Sequence, residues 1–175
     1  HVKEVFTRAK RCEDFFPSRI NVYSDGSLKN NRRTFFCLAG AGVWWPKRKL
    51  ERCPMSEAES EMGIPQEEGS GLAIRTALAG YGGSSTRAEI AAGIIACQAD
   101  VAVNIGSDSQ AFVNKANYVA NLVIQEKQPK RPWATQKDGD LWELLHETIK
   151  AKGPHTFLAT KVKGHATDQM VADNE

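Results

Sequence analysis

Ser85–Ala99, STRAEIAAGIIACQA, and the segment after it, Val101–Asp108, VAVNIGSD, decide the fold. The first opens with an N-cap signal, Ser85 or Thr86, and places Glu89 in its first turns. Ala88, Ala91, Ala92 and Ile95 recur at helical spacing and form an apolar stripe. Gly93 costs about 1 kcal/mol in a helix interior, but with the alanines it keeps that face small enough to pack close to a sheet. The second segment is a short apolar run that reads as a buried strand ending on a carboxylate, Asp108. SQAFVNKANYVANLVIQ follows with helical periodicity. A helix, strand, helix succession implies parallel pairing within an α/β sheet.

Working toward the N-terminus, Ile20–Ser24 alternates as a strand does, with Ile20, Val22 and Ser24 on one face and Asn21, Tyr23 and Asp25 on the other. Thr34–Trp45 is a second strand, joined to the first by the polar turn GSLKNNRR. Pro46–Ser70 is polar and acidic and contains Pro54, Gly63 and Pro65; it reads as a long surface insertion. Gly71–Gly80 reads as a third strand, with a helix as the alternative its alanines allow; as a strand it completes an antiparallel meander. His1–Arg19 is a charged lead-in, either a linker or a short helix.

Toward the C-terminus, EKQPKRPWATQKDG is a basic, proline-broken loop. Asp140–Lys152 is an amphipathic helix with Leu141, Trp142, Leu145 and Ile149 inward, stopped by Gly153 and Pro154. Thr156–Gly164 is the last strand, and HATDQMVADNE begins a loop or helix. The expected organisation is a lead-in over 1–19 and one domain over 20–175, with 46–70 inserted. The missing initial Met and an end at VADNE without a helix stop give the expectation of a domain cut from a longer chain and truncated at its C-terminus.

Composition narrows the function classes. With 175 residues, 41% hydrophobic and 25% charged, the chain can build one real core. A formal net charge of +2 excludes a polycation, so any nucleic-acid contact must come from a local basic patch. Cys12, Cys37, Cys53 and Cys97 form no CxxC pair, which argues against a zinc site. Cys37 and Cys97 lie in apolar runs and read as buried thiols, so a reducing intracellular compartment, cytoplasm or nucleus, is expected. No apolar run is long enough to span a membrane.

Asp25 and Asp108 each follow a strand, and Glu89 opens the helix between them. Strand ends and helix starts of an α/β sheet converge on one crevice. Taken singly, each residue has an ordinary explanation: a turn or cap for the aspartates, a capping-box partner for Glu89. Together they would repel strongly unless divalent cations, which prefer oxygen ligands, sit between them. Two such ions suit phosphoryl transfer.

The ordered set YSDGS, STRAEIAA, IGSDSQAFV, DLW and KVKGHA resembles a type 1 ribonuclease H domain. The resemblance spans Val22 to His165. It implies a five-stranded mixed sheet, three antiparallel strands followed by two parallel ones, flanked by helices. It implies Mg²⁺- or Mn²⁺-dependent cleavage of the RNA strand of RNA–DNA hybrids with two metal ions, in some members alongside a reverse transcriptase of a retroelement polyprotein. Asp25, Glu89 and Asp108 match the family's first three metal-binding carboxylates. His165 matches its mobile loop histidine.

The sequence departs from the family in three places. The fourth carboxylate should open a final helix in an AD pair about ten residues after the histidine. Ala172–Asp173 comes slightly early, Asp168 is a weaker candidate, and the true residue could lie past Glu175. SSTRAE stands where relatives often have NNRAE, and Asp138 stands where many have Asn. For the substrate, Gly26, Ser27, Ser84, Ser85 and Ser109 flank the carboxylates and would meet the sugar–phosphate backbone, because RNA is distinguished by its 2′-hydroxyl and groove shape. Lys127, Lys130 and Arg131, with Trp133, form a basic-aromatic stretch suited to phosphates. Two competing readings are a binding module of the same fold with impaired catalysis and an integrase-like strand-transfer domain.

Overall fold

The computed structural model describes residues 9–24, 40–77 and 85–163. Its strands are β1 (Val22–Ser24), β2 (Gly40–Trp45), β3 (Ile64–Glu68), β4 (Gly71–Ala77), β5 (Val103–Ser107) and β6 (Phe157–Lys161). Its helices are α1 (Glu57–Met62), α2 (Ser85–Cys97), α3 (Gln110–Ile124) and α4 (Gly139–Lys152), with a 3₁₀ turn at Trp133–Thr135. The strands form one mixed sheet in the order β3-β4-β2-β1-β5-β6. β1, β2 and β4 pair antiparallel, and β5 joins β1 and β6 in parallel.

The α/β class and the mixed pairing are as the sequence implies, but there are six strands rather than five. The additional strand, β3, comes from the segment read as a surface insertion. Its residues IPQEE are all exposed, so it has no apolar alternation to betray it. Only the ladder to β4, from Ile64↔Arg75 to Glu68↔Gly71, makes it a strand. Pro65 and two glutamates suit a sheet edge, where they discourage pairing with other chains.

The same segment contains α1, whose N-cap Ser56 forms a capping box with Glu59. Ser56 Oγ also donates to the carbonyl of Gln98 at 2.6 Å, just beyond the C-terminal end of α2. Arg48 and Glu59 are both buried and pair through two bonds of 2.7 and 2.8 Å. Residues 46–70 are therefore bolted to the end of α2 by a satisfied polar cluster.

α2 is buried on almost every side: Ile90, Ala92, Ile94, Ala96 and Cys97 are fully inaccessible. The stripe expected from the sequence, Ala88, Ala91, Ala92 and Ile95, is only part of this surface. The helix lies between the sheet strands β1, β2 and β5 on one side and α3 and α4 on the other, which leaves only its first turn partly open to solvent. Gly93 opens the helix–helix side: a Cβ there would lie 3.0 Å from the Phe112 ring of α3. Its small size thus serves contact with a helix and not, as expected, with the sheet. Trp142, Leu145 and Ile149 of α4 are buried in the same core, while Leu141 is half-buried against it.

Residues 9–20 run without a helix and are pinned to the β6 end of the domain. Cys12 N–H donates to Lys152 O at 2.7 Å, Phe16 N–H to His155 O at 2.8 Å, and Asn104 Nδ2 to Pro17 O at 3.0 Å. At the far edge, the Asn117 side chain of α3 both donates to and accepts from the Ala159 backbone at 2.9 Å. That pair satisfies backbone groups of β6 on its outer side. Residues 25–39, with the expected GSLKNNRR turn, the first half of the Thr34–Trp45 strand and Cys37, lie outside the described residues.

Candidate active site

The site is set by a register. β1 and β5 pair in parallel with Val22↔Ile105 and Tyr23↔Gly106, which brings Ser24, the last described residue of β1, level with Ser107, the last of β5. Gly106 makes this approach possible: a Cβ there would lie 2.8 Å from the Tyr23 ring. Asp108 is the first residue past β5 and is half-buried. Asp25, the residue after Ser24, lies outside the described residues, as do Gly26, Ser27, Ser84, His165, Asp168 and Asp173.

Glu89 reaches the two strand ends from α2. The helix is described from Ser85, so Thr86 stands inside it and not before it. Glu89 is 2% exposed. Its Oε2 accepts the Ser24 hydroxyl at 2.5 Å and the Ser107 hydroxyl at 3.3 Å. The helix carboxylate is thereby brought to the end of β5, one residue before Asp108. Among the described residues no group of three or more His, Cys, Asp and Glu side chains is placed to hold a metal; of the expected ligands only Glu89 and Asp108 fall within them. What is present fits a divalent ion: hard oxygen donors at converging strand ends, with the buried carboxylate received by neutral hydroxyls.

Ser109, expected at the substrate backbone, caps α3: its Oγ accepts from Phe112 N–H at 3.2 Å. Lys127, Lys130 and Arg131 are exposed on the loop after α3. Arg131 donates to Thr135 O at 2.9 Å, which folds the loop upon itself. Trp133 is 8% exposed and packs beside the His146 ring at 5.6 Å, so most of its surface belongs to the core. Burial pushes the His146 imidazole below its ordinary range, as desolvation disfavours the cation.

Arg87 links this loop region to the carboxylate helix. Two residues before Glu89, it donates to Asp138 at 3.1 Å and doubly to Asp140 at 2.9 Å. These bonds hold the Asp140 carboxyl below the usual carboxylate range. Asp138, noted from sequence only as a departure, is half of that clamp. Ser24, Ser107 and Arg87 were not singled out by sequence reasoning. A signal was present, since a serine directly precedes both Asp25 and Asp108.

A family model for RNase H matches residues 17–175. Neither the curated proteins nor the solved structures returned a match. Strand ends that converge on a helix glutamate, within a sheet of this topology and a family match running from residue 17 to 175, lead to one conclusion: the chain belongs to the ribonuclease H family, nucleases of RNA–DNA hybrids that typically depend on divalent metal.

Proposed function

We propose that this chain is a divalent-metal-dependent endonuclease that hydrolyses the RNA strand of RNA–DNA hybrids. The observation that carries the reading is the buried Glu89 carboxylate, held by hydroxyls at the two strand ends that lead into Asp25 and Asp108. In this reading Asp25, Glu89, Asp108 and Asp173 hold two Mg²⁺ or Mn²⁺ ions. When bound, such ions supply an activated water and neutralise charge at the leaving oxygen.

The chain's own groups do the rest. The carboxylates fix the reacting phosphate relative to the sheet. Family resemblance assigns His165 to proton transfer or product departure. Gly26, Ser27, Ser84 and Ser85 meet the sugars near the scissile bond, and Lys127, Lys130 and Arg131 meet phosphates. Phosphate contacts of this kind weaken as salt rises, through counterion release. A reverse transcriptase partner in a retroelement polyprotein rests on the resemblance alone. An intracellular, reducing location is supported by the free thiols Cys12, Cys53 and Cys97. No described helix is long and apolar enough to cross a membrane.

The test is a gel assay on a hybrid with each strand labelled in turn, in Mg²⁺, Mn²⁺ or EDTA. The expected result is cleavage of the RNA strand only, with 5′-phosphate and 3′-hydroxyl ends, abolished by EDTA. Tight binding without cutting would make the domain a binding module. Cutting or joining of duplex DNA would make it a strand-transfer enzyme.

A further inference from the structure

Ser24 and Ser107 are fully buried, and both spend their hydroxyls on one oxygen of Glu89. The direction of the second bond is fixed by a third group. Ser109 N–H donates to Ser107 Oγ at 3.1 Å. An amide N–H can only donate, so Ser107 Oγ is the acceptor there, and its single proton goes to Glu89 Oε2. A chain of donation thus runs from the start of α3, through the end of β5, into the carboxylate of α2. Ser24 supplies a second, shorter donation from the end of β1. Because β1 and β5 are in parallel register, these hydroxyls come from the next aligned pair, and the carboxylate sits across the seam between the strands.

We propose that Ser24 and Ser107 are positioning residues for the metal site. They hold Glu89 Oε2 toward Ser24 and Ser107 and so set the orientation in which the carboxylate meets a metal. Metal affinity then depends on two hydroxyls that touch neither metal nor substrate. The proposal rests on the metal-site reading of Glu89 given above. It follows the general behaviour of outer-shell hydrogen bonds, whose loss costs about 10–100-fold in metal affinity or activity.

The experiment is a calorimetric Mg²⁺ titration of the full chain without nucleic acid, with a thermal melt of every variant. Ser24→Ala should weaken Mg²⁺ binding about tenfold, at the low end of that range. Ser107→Ala, whose bond is longer, should weaken it by a smaller factor. Ser107→Thr retains the hydroxyl and should keep the wild-type affinity. In the hybrid assay, the Mg²⁺ midpoint of both alanine variants should move up by the same factor as the binding constant, and excess Mg²⁺ should restore the rate. A purely structural role would lower the melting temperature without moving that midpoint. Wild-type Mg²⁺ affinity in Ser24→Ala and Ser107→Ala, together with a clear loss in Glu89→Gln, would overturn the serine proposal alone. Unchanged affinity in Glu89→Gln would overturn the metal reading and the serine proposal with it.

Discussion

Glu59 and Glu89 are both helical glutamates buried almost completely, at 0% and 2% exposure, yet they are held by different donors. Both oxygens of Glu59 face the Arg48 guanidinium, and Oε1 also accepts Ser56 N–H at 2.8 Å. Arg48 is itself used up: it donates to the carbonyls of Cys53 and Pro54 and lies 4.9 Å over the Trp45 ring. This charge is cancelled where it stands, and the result is architecture. Oε2 of Glu89 is met instead by neutral hydroxyls. These hydroxyls orient the carboxylate without themselves carrying a cancelling charge. Under the proposed metal reading, a strut and a ligand differ in the kind of donor they meet, not in the depth of burial.

Four variants would break or sharpen that contrast. The largest effect is expected at the ligand: Glu89→Gln should slow RNA-strand cleavage roughly a thousandfold, because metal-borne charge stabilisation is worth several kcal/mol, while the melting temperature holds. A near-normal rate would place Glu89 with the struts. Next comes the strut. Arg48→Ala leaves a buried carboxylate uncompensated and should cost about 3–5 kcal/mol in urea unfolding, with unchanged turnover per folded molecule. Replacing the whole pair, Arg48→Met with Glu59→Leu, should recover most of that loss, since a packed apolar pair is often neutral relative to a buried ion pair; a double variant as unstable as the single would show that the charge itself is needed. The smallest change is Ser56→Ala, which removes the α1 cap and should cost about 1 kcal/mol, read by the same unfolding curve, without moving the Mg²⁺ dependence of cleavage.

Most of the frame could be read from the sequence because its signals are periodic. The run Val101–Asp108 and the alternation Ile20–Ser24 pointed to two strands, found at Val103–Ser107 and Val22–Ser24, and Gly153 pointed to the end of α4. β3 was illegible because an exposed edge strand is defined by its ladder partner, not by its own residues. The near-complete burial of α2 was also hidden: the sequence shows which residues are apolar, but not how many neighbours surround a helix. In the site, Glu89 and Asp108 could be read as carboxylates at element ends. The bonds from Ser24 and Ser107 depend on a strand register that joins residues far apart in the chain, which no local pattern encodes. Ser109 shows the reverse: a residue beside the carboxylates, expected to face substrate, is used as a helix cap.

The most direct trial of the strand-end metal site is Asp108→Asn, which removes a charge and keeps the shape. Cleavage of the RNA strand of a labelled hybrid in Mg²⁺ should disappear while the thermal melt stays that of the wild type. Full cleavage by a normally folded Asp108→Asn protein would contradict the assignment.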